Sequence, residues 1–74
     1  MRGESNAALR VGEMYEAGHG TAANPNWAYV WYSVAEIRGV AEAQAKKDAM
    51  AKRLQAKEIE QADKLAKSLA QSGK

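Results

Sequence analysis

The sequence has no cysteine, no phenylalanine, one proline and one histidine among its 74 residues. Without cysteine the chain has neither a disulfide nor a thiolate metal site, so its core depends on apolar packing alone. A chain of this length buries only about 60% of the surface that its unfolded form exposes, which limits it to one domain, residues 1–74. Because 46% of the residues are hydrophobic, and 16 are alanine, the composition argues against disorder and favours helix.

Long apolar runs and a strong excess of one charge are also missing. The longest mostly apolar stretch, residues 27–35, spans nine residues including a serine, whereas a membrane span needs roughly 20. The first ten residues contain no apolar run typical of a signal peptide. The net charge of +2 comes from 11 basic and 9 acidic residues, too small an excess to predict a polyanion partner. We therefore expect neither a membrane nor a nucleic-acid partner, and the cell compartment stays open.

Glycine and proline divide the first half of the chain into two predicted helices. The first covers residues 6–17 and is followed by Gly18, a residue that suits a left-handed C-terminal cap. The second runs from residue 25 to residue 38, because Asn24 can cap the first turn and Pro25 suits the first helical position.

The second half of the chain is predicted to form two further helices, over residues 41–54 and 57–71. The later one has an apolar side of isoleucine, leucine and alanine. The break at residues 55–56 contains neither glycine nor proline. Two separate helices and one long bent helix therefore both remain open.

The chain also contains an internal repeat with a period in the mid-thirties. Arg2-Gly3 recurs as Arg38-Gly39 at an offset of 36, and a second set of positions recurs at an offset of 34. A period of this length built from two helices is typical of an α-solenoid. The predicted fold class is therefore all-α, with two antiparallel helix pairs, four helices in all, stacked as a solenoid fragment. The matching positions are Ala7 with Ala43, Met14 with Met50, Ala28 with Ala62, Trp31 with Leu65, and Ala35 with Leu69.

A denser motif covers residues 6–45. The positions that carry it are Val11, Gly12, Tyr15, Gly18, Gly20, Asn24, Ala28, Trp31, Tyr32, Ala35, Gly39, Glu42, Ala43 and Gln44. This motif resembles the Sel1-like repeat, a relative of the tetratricopeptide repeat with two antiparallel helices per unit. The resemblance implies one repeat at residues 4–39 and a degenerate repeat, or C-terminal capping helix pair, at residues 40–74.

This motif has a physical rationale, because small residues let two helix backbones approach and aromatic rings fill the space between them. The sequence departs from the family pattern at Thr21, Asn24 and Glu36, and the second copy lacks the glycine loop and the aromatic residues. Repeat arrays usually need about three units for stability. We therefore expect the C-terminal part of a longer array; the alternative is a complete small protein that self-associates through its exposed first helix.

The sequence offers little that resembles a catalytic or cofactor site. His19 is the only histidine, and no second histidine or cysteine completes a metal set. Glu13 and Glu16 are interpreted as a solvated helix face. The Gly18–Gly20 loop lacks the preceding strand and following lysine of a phosphate loop. The basic stretch at residues 46–57 has no aromatic residue for base stacking. We expect no catalytic residue, no cofactor and no metal.

The aromatic residues divide into two groups. Trp31 and Tyr32 are predicted to lie in the core. Trp27 and Tyr29 lie on other faces of the same helix, and three interpretations remain open for them: packing on a missing neighbour, contact with a partner, or cover for the loop.

Polar residues recur on one side of the first and third helices, the side that usually lines the concave binding surface of such solenoids. One hypothesis is that they form a shallow mixed-charge groove for a protein or peptide; an ordinary wet surface is the other interpretation. The resemblance implies an adaptor in signalling, secretion or quality-control assemblies. The alternative is a regulatory module of an enzyme or of a glycan-binding or peptidoglycan-associated envelope protein. The candidate residues are Asn6, Arg10, Glu13, Glu42, Lys46 and Arg53.

Overall fold

The computed structural model describes residues 2–20 and 22–72, and this part of the chain forms four α-helices. They are α1 at Arg2–Ala17, α2 at Pro25–Ile37, α3 at Glu42–Ala51 and α4 at Ala56–Ser72. The predicted all-α class with four helices is confirmed, but α3 and α4, predicted as the second antiparallel pair, are not among the closely packed pairs of the described helices. The predicted departure at Thr21 lies outside the described residues.

Helix α1 begins earlier than predicted, at Arg2 rather than at residue 6. The stretch ahead of Asn6 contains no proline, so nothing interrupts the backbone hydrogen-bond pattern there. Gly3 therefore lies within a helix, whereas Gly39 lies in a turn with φ +99°. The Arg2-Gly3 and Arg38-Gly39 dipeptides are thus not structurally equivalent, and that part of the repeat alignment is wrong.

The start of α2 follows the predicted chemistry. The Asn24 side chain accepts a hydrogen bond from the Trp27 amide at 3.2 Å, and Pro25 occupies the first turn. Before it, Gly18 takes a left-handed φ of 80°, while its amide donates to the Met14 carbonyl at 2.8 Å. These caps fix the turn between α1 and α2.

Four residues, 52–55, separate α3 from α4, so the alternative of one long bent helix is excluded. The Arg53 amide donates to the Met50 carbonyl at 2.9 Å, a tighter i to i−3 pattern that ends the α-helix. The Gln55 amide then donates to Glu58 Oε1 at 2.8 Å, which caps the start of α4. Helix α3 consequently ends at Ala51, three residues before the predicted end.

Helix α2 lies at the centre of the molecule. The closely packed helix pairs of the described chain are α1 with α2, α2 with α3, and α2 with α4. A helix that is surrounded on several sides must be apolar on most of its circumference. The buried apolar residues of α2 are Ala28, Tyr29, Val30, Tyr32, Val34 and Ala35.

The α1–α2 packing depends on the fit of Tyr32 against Gly12. Tyr32 is fully buried, and a Cβ atom placed on Gly12 would lie 2.5 Å from Tyr32 Cδ1. Further along, the rings of Tyr15 and Trp27 stack with centroids 6.1 Å apart. From Gly12 to Tyr15 the contacts advance along α1, while their partners on α2 go back from Tyr32 to Trp27. The two helices are therefore antiparallel, as predicted.

Helices α2 and α4 run parallel. Asn26 Nδ2 donates to Glu58 Oε2 at 3.4 Å, and the Tyr29 hydroxyl donates to Asp63 Oδ1 at 2.9 Å. From the first hydrogen bond to the second, the residue number rises on both helices, so the two helices have the same direction. The separation of 34 between Tyr29 and Asp63 equals the predicted offset of the second repeat copy.

The aromatic predictions have mixed outcomes. Tyr32 lies in the core as predicted, whereas Trp31 is only half-buried at its edge. Tyr29 is 4% exposed, so none of the three interpretations offered for it is correct. It packs against α4 of its own chain, because the parallel approach of α4 covers that side of α2. Trp27 is 38% exposed and stacks on Tyr15 beside the loop.

Candidate functional site

One surface brings together residues from α1 and α3. We name it the α1–α3 surface. Glu13 Oε2 of α1 and Lys46 Nζ of α3 form a salt bridge at 3.2 Å. Both helices pack closely on α2, while the pair α1 with α3 is not among the closely packed pairs of the described chain. This surface is defined by five of the predicted site residues, Asn6, Arg10, Glu13, Glu42 and Lys46.

The predicted site residues on this surface are accessible. Asn6, Arg10 and Glu42 are exposed, and the Lys46 side chain retains 34% of its accessible surface. Arg53 is exposed too, but it lies in the connection after α3 and not on the helix. Its predicted place on the helical track was therefore wrong, because the tight turn after Met50 ends α3 first.

The α1–α3 surface carries charges of both signs, with Arg10 and Glu13 on α1 and Glu42 and Lys46 on α3. An exposed ion pair such as Glu13 with Lys46 contributes at most about 1 kcal/mol to stability, because water screens it. Glu13 and Lys46 can therefore exchange this ion pair for contacts with a partner at little cost in stability. Such a surface can hold a polar or charged protein segment through ion pairs and hydrogen bonds.

Behind this surface, one hydrogen bond ties α1 to α2. The Tyr32 hydroxyl donates to Glu16 Oε1 at 2.5 Å. Burial raises the pKa of the Tyr32 phenol well above its usual range, and the neighbouring Glu16 carboxylate raises it further. Glu16, predicted as part of a solvated helix face, is exposed but also holds this buried phenol in place.

A second polar cluster joins α2, α3 and α4. Burial raises the pKa of Tyr29 to about 12, and the Asp63 carboxylate that accepts its hydrogen bond adds to this shift. Lys47 Nζ forms an ion pair with Glu36 and lies 6.0 Å from the centroid of the Tyr29 ring. The cluster connects three helices through side chains whose contacts with one another were not predicted from the sequence. Only the 34-residue spacing of Tyr29 and Asp63 could have indicated one of its contacts.

Two lysines of the basic stretch at residues 46–57 form ion pairs within the chain. Lys46 and Lys47 both have carboxylate partners, on α1 and α2 respectively. They therefore do not contribute to a continuous free basic patch.

The remaining candidates have structural positions. His19 is exposed in the loop, and Gly18 and Gly20 both have φ near +80°, as turn glycines require. Within residues 2–20 and 22–72, no group of three or more histidine or acidic side chains is placed to hold a metal ion. In the same ranges, every helix is too short or too polar to cross a bilayer.

No protein-family model, curated protein or solved structure matches this chain. The resemblance to the Sel1-like repeat therefore stays a prediction that depends on the motif residues themselves.

Proposed function

We propose that this chain is a non-enzymatic protein-interaction module, built from a Sel1-like helix pair, α1 and α2, and two further helices, α3 and α4, that each pack on α2. Its α1–α3 surface receives a protein or peptide partner. The observation that carries the proposal is the Glu13–Lys46 salt bridge at 3.2 Å, since it joins the two predicted polar tracks on an accessible face.

The helix geometry supports the repeat interpretation. The buried Tyr32 ring lies against Gly12, which is the close approach that the motif requires. Helices α2 and α4 are parallel neighbours with hydrogen-bonded partners 32 and 34 residues apart, a relation that successive helix pairs produce. Both features favour a scaffold whose first and third helices present their polar sides together.

The charge pattern supports a peptide or protein as the partner class. By helical spacing Arg10 neighbours Glu13 on α1, and Glu42 neighbours Lys46 on α3, so charges of both signs flank the Glu13–Lys46 salt bridge. A mixed set of charges selects a partner with complementary charges and disfavours one with charges of a single sign.

The proposal can be tested with peptides selected for binding. A phage-displayed random peptide library is panned against the immobilised chain, and enriched peptides are measured by fluorescence anisotropy. The double variant Arg10→Glu/Lys46→Glu should weaken their binding by about tenfold or more, because it reverses two surface charges. The matched control is Lys64→Glu/Lys67→Glu, which makes the same charge change at exposed positions of α4.

Enriched peptides that bind the control normally and the Arg10/Lys46 variant poorly would support the proposal. Failure to enrich any peptide, or equal binding to both double variants, would contradict it. Circular dichroism of each variant checks that the helices are retained.

A further inference from the structure

A cleft of about 310 Å³ lies between α2 and α4. We name it the α2–α4 cleft; its lining includes Asn26, Trp27, Glu58, Ala62 and Leu65. It shares no residue with the α1–α3 surface. Its volume falls near the lower end of the range for small-ligand sites, which suits one long side chain and part of its neighbour.

The cleft exposes two of the large hydrophobic side chains that a folded chain would normally cover. Trp27 is 38% exposed and Leu65 is 39% exposed. Stacking on Tyr15 restrains the Trp27 indole, so a ligand can use this ring without first ordering it.

Glu58 supplies a fixed negative charge at the same place. Its Oε1 accepts from the Gln55 amide at 2.8 Å, and its Oε2 accepts from Asn26 Nδ2 at 3.4 Å. Because a carboxylate has about four acceptor positions, each oxygen keeps capacity for another donor. The described residues that line the cleft include this one carboxylate and no cationic side chain.

We propose that the α2–α4 cleft binds an arginine side chain of a protein segment. The guanidinium presents two parallel N–H groups that match a carboxylate, here Glu58, and its plane stacks on an indole, here Trp27. The methylene stem covers apolar surface at Leu65. A lysine ammonium is a point charge and cannot make the paired contact or the stacked one.

The test uses the intact chain and a synthetic probe, acetyl-Gly-Arg-Leu-Gly-amide, followed by ¹⁵N NMR titration. Saturable shifts should centre on the Trp27 indole N–H and on the amides of Glu58 and Leu65. Replacing the arginine of the probe by citrulline removes the charge at nearly constant shape. That probe should bind about tenfold more weakly, because a charge-assisted hydrogen bond becomes a neutral one. The lysine probe should also bind more weakly than the arginine probe.

A matched pair of variants assigns the effect to the carboxylate. Glu58→Gln keeps an oxygen that can accept from the Gln55 amide, so the start of α4 is preserved. It should weaken the arginine probe about tenfold. Glu60→Gln makes the same change at an exposed position outside the cleft lining and should leave binding unchanged.

Three results would overturn the inference: no saturable shift with the arginine probe, equal binding of the arginine and citrulline probes, or equal effects of the two glutamate variants. The Arg10→Glu/Lys46→Glu variant should bind this probe normally. The proposed roles of the α2–α4 cleft and of the α1–α3 surface can therefore be tested separately.

Discussion

The ring of Tyr32 occupies the space that a side chain on Gly12 would need. A Cβ atom at Gly12 would lie 2.5 Å from Cδ1 and 2.6 Å from Cε1 of the ring. Real Cβ atoms do not come this close to carbon. The absence of a side chain at one α1 position thus determines how near α2 can approach, and with it the position of the central helix against which α3 and α4 also pack.

Gly12→Ala should destabilise the protein even though alanine is the better helix former. Propensity alone predicts a gain of about 1 kcal/mol, but overpacking against a buried ring costs about 1–3 kcal/mol. We expect a net loss in the free energy of unfolding, measured by urea denaturation. Ala7→Gly, at an exposed position of α1, is the control for propensity. A stabilised Gly12→Ala variant would show that Tyr32 does not fill this space.

Asn24→Ala should lower the free energy of unfolding by about 1 kcal/mol, since the Trp27 amide loses its side-chain acceptor. Asn24→Asp keeps an oxygen at the same place and should retain most of the stability. Thermal unfolding of the two variants checks this order. Equal losses in both variants would contradict a capping role for Asn24.

Stability should fall at alkaline pH because of Tyr29. Its pKa is about 12 in the folded protein and 10.0 in the unfolded chain. The folded state therefore holds the phenolic proton more tightly, and its contribution is fully present below pH 10. This contribution is lost progressively as the pH rises from 10 towards 12, because the unfolded chain ionises first.

Tyr29→Phe removes this pH dependence and serves as the comparison. The free energy of unfolding of the wild type should decline more steeply with pH across that window than that of the variant. Tyr32, whose pKa is also raised by burial, is present in both proteins, so its contribution cancels in the difference. Parallel pH profiles would show that Tyr29 ionises equally easily in both states.

Two adjacent lysines should differ in their importance for stability. The Lys46 side chain is 34% exposed and pairs with the more exposed Glu13, so Lys46→Ala should cost less than about 1 kcal/mol. Lys47 is 23% exposed, pairs with Glu36 and lies over the Tyr29 ring. Lys47→Ala should cost about 1 kcal/mol more than Lys46→Ala, because it also leaves a half-buried carboxylate without its donor. The reverse order in denaturation experiments would contradict the polar cluster.

Local chemistry allowed much of the fold to be predicted from the sequence. Asn24 and Pro25 determine the start of α2 through groups within one helical turn, and Gly18 determines a turn through its own φ. The fit of Tyr32 to Gly12 follows from residue size within the motif.

The remaining features depend on contacts between distant segments. Tyr29 lies on a face of α2 that the sequence of α2 alone does not mark as buried. The parallel approach of α4 covers this face. Met14 and Met50 occupy matching positions in the predicted repeat, yet Met14 is 43% exposed and Met50 is 2% exposed, because their helices have different neighbours. The position of Arg53 was missed because α3 ends without glycine or proline.

The most direct test of the proposed function is where a selected peptide binds. Amide hydrogen exchange of the chain is measured with and without a peptide enriched by panning. We predict added protection on α1 and α3, in the turns that contain Arg10, Glu13 and Lys46. Protection confined to other parts of the chain, or no added protection while the peptide is bound, would contradict the assignment of the α1–α3 surface as the binding site.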